Sequence, residues 1–232
     1  MLQRALNKLP ITSITPFTFQ DYPEHTACIL WFSGCNMACG YCHNPELVKG
    51  ELQKLPAQQV MAFLESRRGL LEGVVLSGGE CTISLALPEF AAYLRQMGYK
   101  IKIDTNGTNP DMLETLLTNK LVDFIALDFK APRSKFAAIT GYDDYNRFER
   151  TLALLCHADI TLEIRTTIHA DQLDEKDINA MLCAVSDLGF KGRYYLQRFK
   201  QGVTLGNLGS PNRAFDLSAI TPPPFALELR NF

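Results

Sequence analysis

Short apolar runs recur along this chain and alternate with longer amphipathic stretches. "TACILWF" (26–32), "GVVLSGG" (73–79), "YKIKIDT" (99–105), "LVDFIALDF" (121–129), "ITLEIRTTI" (160–168) and "GRYYLQRF" (192–199) have strand length, and most are dense in β-branched and aromatic residues. Between them lie segments of helical length: 56–69 and 110–119, opened by Pro56 and Pro110; 86–97 and 174–188, closed by Gly98 and Gly189; and 144–157. Strands that alternate with helices pair in parallel through right-handed crossovers, so the pattern predicts an α/β fold. An open sheet and a barrel both fit the alternation. Six units rather than eight favour an incomplete (β/α)6 barrel, a single domain open at the side. Residues 1–199 are expected to form this core, with 200–232, rich in Gly and Pro, as an irregular tail packed on it or extending from it.

The ends of the apolar runs carry the chemistry. "SGCNMACGYCHNP" follows the first, "SGGE" closes the second, "DTNG" the third and "DFK" the fourth, and "RTT" closes the fifth. In a parallel α/β array such ends share one face, where loops assemble sites from residues far apart in sequence.

Composition narrows the setting. The 232 residues are 47% apolar and 21% charged, a globular balance, and the net charge of -2 without blocks of one sign does not point to nucleic acid. No run approaches the ~18 apolar residues of a membrane span, and "MLQRALNKLPITSITPF" lacks the apolar centre of a leader. A cytoplasmic protein with reduced thiols is therefore expected. Seven cysteines, three of them within eight residues, favour metal or redox chemistry over a disulfide framework.

Those three, Cys35, Cys39 and Cys42, are spaced C-x3-C-x2-C in the loop 33–45. Unliganded thiols are a poor explanation for three at this spacing, although Cys28, Cys156 and Cys183 read as small core residues. "CGYCH" matches a haem-attachment motif, which works after export and would leave Cys35 idle. A zinc knuckle needs a fourth ligand, and only His43, adjacent to Cys42, is near. A [4Fe–4S] cluster held at three corners uses all three thiolates and leaves one iron open. Gly34 and Gly40 would let the loop curl.

The cysteine spacing after a first strand, with Tyr41 before the last cysteine, resembles the radical S-adenosylmethionine (SAM) superfamily, and "SGGE" and "DTNG" at successive strand ends belong to the same likeness. "YCHNP" and the preceding "DYP…GCN" are similar to the glycyl-radical-enzyme activases, most closely those of anaerobic ribonucleoside-triphosphate reductase. The likeness runs from residue 14 to about residue 199 and implies a partial TIM-like barrel.

It implies that Cys35, Cys39 and Cys42 hold the cluster, that SAM chelates the open iron, and that an electron splits SAM into methionine and a 5'-deoxyadenosyl radical. The cofactors supply this chemistry, with no catalytic side chain beyond their ligands. Gly78, Gly79 and Glu80 would hold the amino end of SAM. Asp104, Thr105 and Asn106, with Asp128 and Lys130, would meet its amino-acid part and ribose, and a monovalent cation would sit near Asp104 and Asp128. Lys130 suits a carboxylate, Arg165 a carboxylate or ribose, and Tyr41 and His43 the surroundings of the adenine. The implied partners are a glycyl-radical enzyme and a low-potential donor such as flavodoxin, ferredoxin or a thiol system. Two departures stand out: Cys81 where the family commonly has proline, and Phe199, beside Gln197 and Arg198, where pyruvate formate-lyase activases have a SAM-contacting histidine. A different glycyl-radical partner, a small-molecule substrate and a zinc-binding module without catalysis are the competing functions.

Overall fold

The computed structural model describes residues 6–232, so the leader reading of the N-terminus falls partly outside the described residues. It contains strands β1 (Ile11–Thr18), β2 (Ala27–Phe32), β3 (Gly73–Gly78), β4 (Lys100–Thr105), β5 (Phe124–Asp128), β6 (Thr161–Ile168), β7 (Arg193–Arg198) and β8 (Ala226–Arg230). The helices are α1 (Pro45–Lys49), α2 (Ala57–Arg67), α3 (Leu87–Gln96), α4 (Pro110–Thr118), α5 (Arg133–Thr140), α6 (Tyr145–His157) and α7 (Glu175–Asp187). Hydrogen bonds join the strands in chain order, β1 through β8, and the order does not return to its start, so the sheet is open. β1 runs antiparallel to β2, whereas β2–β3, β3–β4, β6–β7 and β7–β8 are parallel.

All six strands expected from the sequence are present as β2 to β7. The two additional ones are edge strands. β1 contains Pro16 and a break in register between Thr15 and Thr18, features that an edge tolerates and that mask a strand in the sequence. β8 lies within the stretch read as irregular and pairs with β7 through Tyr194↔Leu227 and Leu196↔Leu229.

The chain divides into two compact units. The first comprises Met1–Asn36, Glu46–Thr105 and Asp111–Ile125. Tyr22, Ala27, Ile29, Val75 and Phe124 form a core cluster there with Trp31 packed on it, and Tyr22 meets Phe124 edge to face at 5.9 Å. Leu87, Phe90, Ala91 and Leu94 make the buried stripe of α3 at helical spacing.

The second unit comprises Met37–Pro45, Asn106–Pro110 and Ala126–Phe232. Phe129, Phe136, Tyr145 and Phe148 pack ring on ring beside α5 and α6. Helix α7 opens with a reciprocal cap: Asp174 accepts from the Asp177 N–H and Asp177 from the Asp174 N–H. Cys183 lies exposed on α7 and Cys156 is half-buried, so of the three cysteines read as core only Cys28 is fully buried. No helix among the described residues is long and apolar enough to cross a membrane.

Candidate functional site

In the first unit the end of β3 is built against the root of the cysteine loop. The N–H of Gly79 donates to the Phe32 carbonyl (2.7 Å), the N–H of Glu80 to the Gly34 carbonyl (2.9 Å), and the N–H of Gly34 to the Leu47 carbonyl (2.6 Å). Gly78 has φ +126°, and a Cβ on it would stand 2.3 Å from the Phe32 oxygen. A Cβ on Gly79 would stand 2.0 Å from the Gly34 oxygen. Both glycines are therefore required by backbone-to-backbone approach, where the sequence suggested approach to a ligand. Cys35 follows directly and is half-buried.

Glu80 is 1% exposed and caps the 3-10 turn Cys81–Ile83. Its Oε1 accepts from the Thr82 N–H (3.1 Å) and Thr82 Oγ1 (2.6 Å), and from Thr105 Oγ1 (2.8 Å), which ties the end of β3 to the end of β4. Cys81 donates its thiol to the Leu76 and Asp104 carbonyls at 3.7 Å. Burial, reinforced by Glu80 and Asp104, pushes its pKa far up, so it stays protonated.

Asp104 shows a feature the sequence reading missed. Lys102, 2% exposed, places Nζ 2.6 Å from Asp104 Oδ1 and 5.3 Å above the Phe124 ring, and Ser77 donates to Asp104 Oδ2 (2.9 Å). The ammonium group at this carboxylate is thus the chain's own. Lys102 and Asp104 stand two apart and so share one face of β4.

The second unit carries Cys39 and Cys42. Cys39 is 5% exposed, and burial raises its pKa against the opposing pull of Lys130. The Cys42 N–H donates to the Cys39 carbonyl (2.9 Å), closing a turn, and the Ala38 N–H donates to the Thr140 carbonyl (2.7 Å). Residues beyond 200 fold onto this loop: Leu205 N–H bonds to the Cys42 carbonyl (2.9 Å) and Gly206 N–H to the Gly40 carbonyl (2.8 Å). His43 stacks on Phe199 at 5.4 Å, and His169, buried after β6, meets the same ring edge-on at 4.8 Å. All seven cysteines are free thiols, the soft donors that iron–sulfur centres take. Among the described residues no three His, Cys, Asp or Glu side chains converge to hold a metal ion.

Asp128, Lys130 and Arg165 are brought together. Arg165 Nε donates to Asp128 Oδ1 (2.8 Å) and Lys130 Nζ to Oδ2 (3.0 Å), with Lys130 6.0 Å above the buried Tyr41 ring. Arg165 does not close its strand: the β-branched run "TTI" extends β6 to Ile168, paired with Arg198, and Arg165 sits within it. Burial alone would raise the pKa of Asp128; Arg165 and Lys130 more than reverse this and hold it at about 2. Burial likewise opposes the charge of Lys130, and Asp128 overcomes it, so the lysine stays charged. Because the Asp128 pKa falls on folding, its contribution is present above the usual 3.8 and is lost as pH falls towards about 2. This contribution is worth about 2 kcal/mol. Denaturant titrations of the wild type and Asp128→Asn should differ at pH 7 and converge by that amount on acidification; a pH-independent difference contradicts the triad.

Asn106, expected at the ligand, is 4% exposed and turned to its own loop, its Oδ1 accepting from the Thr108 N–H (3.0 Å) and Oγ1 (2.7 Å). Such an Asx turn holds the backbone after β4.

Comparison with known proteins gives this geometry a context. The sequence matches the profile of the Radical SAM superfamily over residues 29–181. It is 30% identical over 199 residues to a Methanocaldococcus jannaschii protein named as a glycyl-radical enzyme activating enzyme, covering 83% of this chain and 81% of that one. It is 29% identical to the pyruvate formate-lyase-activating enzyme of Clostridium pasteurianum over 50% of this chain and 53% of that one. The crystal structure of Streptococcus suis SuiB bound to S-adenosylmethionine superposes with a TM-score of 0.62 at 16% identity. That match covers 78% of this chain and 44% of SuiB, so the chain spans less than half of SuiB's length.

Proposed function

This chain belongs to the radical SAM superfamily, whose cofactors are a [4Fe–4S] cluster and SAM, and on that premise we propose that it activates an anaerobic ribonucleoside-triphosphate reductase by installing a glycyl radical. The similarity to a glycyl-radical enzyme activating enzyme across most of both chains is the observation that carries the reading. When bound, the cluster supplies the electron that splits SAM and so the radical that takes a hydrogen atom from the partner's glycine. A low-potential flavodoxin, ferredoxin or thiol system replenishes that electron.

The residues divide the remaining work. In the first unit we assign Cys35 as one cluster ligand. The backbone of Gly78 and Gly79 fixes where that loop starts, and Glu80, Asp104 and Thr105 supply polar contacts to SAM. In the second unit Cys39 and Cys42 are the other ligands. There Lys130 and Arg165, held by Asp128, face the carboxylate or ribose, Tyr41 lies near the adenine, and Asn106 orients its loop. Phe199, packed between His43 and His169, offers no polar atom where pyruvate formate-lyase activases have a histidine, and this favours the reductase branch. The partial similarity to a pyruvate formate-lyase-activating enzyme favours, as a second reading, another glycyl-radical partner.

The test is isotopic. Anaerobic incubation with reductase deuterated at glycine should place deuterium in 5'-deoxyadenosine and leave a glycyl-radical signal in electron paramagnetic resonance. Label arriving from pyruvate formate-lyase instead supports the second reading, and label arriving only from a small metabolite overturns both.

A further inference from the structure

We propose that residues 202–209 form a clasp that orders the backbone of the Cys39–Cys42 half of the cysteine loop and so supports cluster retention there. The inference rests on the reading of Cys39 and Cys42 as ligands and adds a segment that the family motif does not include.

Two backbone hydrogen bonds make the closure. Leu205 donates to the Cys42 carbonyl (2.9 Å) and Gly206 to the Gly40 carbonyl (2.8 Å), so the clasp grips the loop on both sides of Tyr41. Gly206 is the point of closest approach. A Cβ there would stand 2.9 Å from Gly40 Cα and 3.0 Å from its carbonyl oxygen, both backbone atoms that cannot swing aside. Glycine is what lets the two chains touch.

The clasp is itself anchored. Thr204, 2% exposed, accepts the Leu208 N–H on its Oγ1 (2.8 Å) and folds 204–208 into a turn. Three residues before the segment, Phe199 stacks on His43, the residue next to Cys42. Where it ends, His169 Nε2 lies 3.0 Å from the Gly209 carbonyl, which can only accept, so this nitrogen carries the proton. A short loop with few internal bonds is costly to order. Bonds supplied from a distant, anchored segment pre-order it, and a pre-ordered ligand set releases its metal more slowly.

The test is iron retention in the reconstituted protein. Gly206→Ala should lose iron to a ferrous chelator about tenfold faster than wild type, the effect of losing one or two backbone hydrogen bonds. Thr204→Val, which keeps the side-chain shape and removes the acceptor, should be intermediate. Ser210→Ala, an exposed position just beyond the clasp, is the control. Circular dichroism of the metal-free proteins checks that each variant folds. Iron release at the wild-type rate from both Gly206→Ala and Thr204→Val overturns the clasp while leaving the ligand assignment intact. Wild-type protein that assembles no cluster overturns both.

Discussion

Cys39→Ala is expected to take SAM cleavage below detection while the metal-free protein keeps its fold. Cys39 is buried, yet the turn that carries it is closed by backbone: its carbonyl receives the Cys42 N–H at 2.9 Å, independently of the thiol. Replacing a buried sulfur by hydrogen leaves a small void at a cost of about 1 kcal/mol. For a chain of this size that is a shift of about 2–4 °C in Tm. The chemistry has no such tolerance. On the proposed ligand set two thiolates cannot do the work of three, and the loss should exceed the ~100-fold typical of removing an outer-shell partner of a metal site. Chromatographic measurement of 5'-deoxyadenosine, beside a thermal melt, checks both halves. Full cleavage activity in this variant would remove Cys39 from the ligand set.

The second large effect belongs to Gly79→Ala, although it changes no functional group. The added methyl would stand 2.0 Å from the Gly34 oxygen, far inside contact distance, and the neighbour is backbone. Relief requires moving the end of β3 away from Gly34, which breaks the Glu80-to-Gly34 bond of 2.9 Å and displaces the start of the cysteine loop. Overpacking of this kind costs about 1–3 kcal/mol before the lost hydrogen bond is counted. A Tm lower by roughly 5–10 °C is expected, with reconstituted iron well below the wild-type level. Gly40→Ala is the informative contrast. Its Cβ would meet Leu208 Cδ1 at 3.6 Å, an ordinary contact, and its φ is not positive, so it should behave nearly as wild type. Equal behaviour of the two variants would show that the close approach at Gly79 does not matter.

These two glycines also show where sequence reasoning reached and where it stopped. β2, β3 and β5 were legible because a parallel strand buried on both faces becomes a continuous apolar run, as in "GVVL" and "FIAL", and β4, β6 and β7 because β-branched and aromatic residues recur between their charged positions. The edge strands lacked that signature: β1 alternates and holds Pro16, and β8 is five residues long and mostly exposed. The spacing of Cys35, Cys39 and Cys42 could be read directly, because residues on one short loop are encoded locally. Gly34 and Gly40 were both read as letting that loop curl, and of the two Gly34 has the positive φ.

Non-local relations left no local trace. That Arg165 reaches Asp128 from within a strand depends on the strand beside it; Lys102 and Asp104 are neighbours on one strand, but the burial of the lysine is set by other strands. The bonds from Leu205 and Gly206 to the cysteine loop join segments more than 160 residues apart. No periodicity in either segment announces them.

Iron and acid-labile sulfide content after anaerobic reconstitution of the wild-type chain bears most directly on what the three thiols are for. About four of each per chain, in brown protein, is the expected result. A colourless protein that takes up a single zinc and neither iron nor sulfide would contradict it.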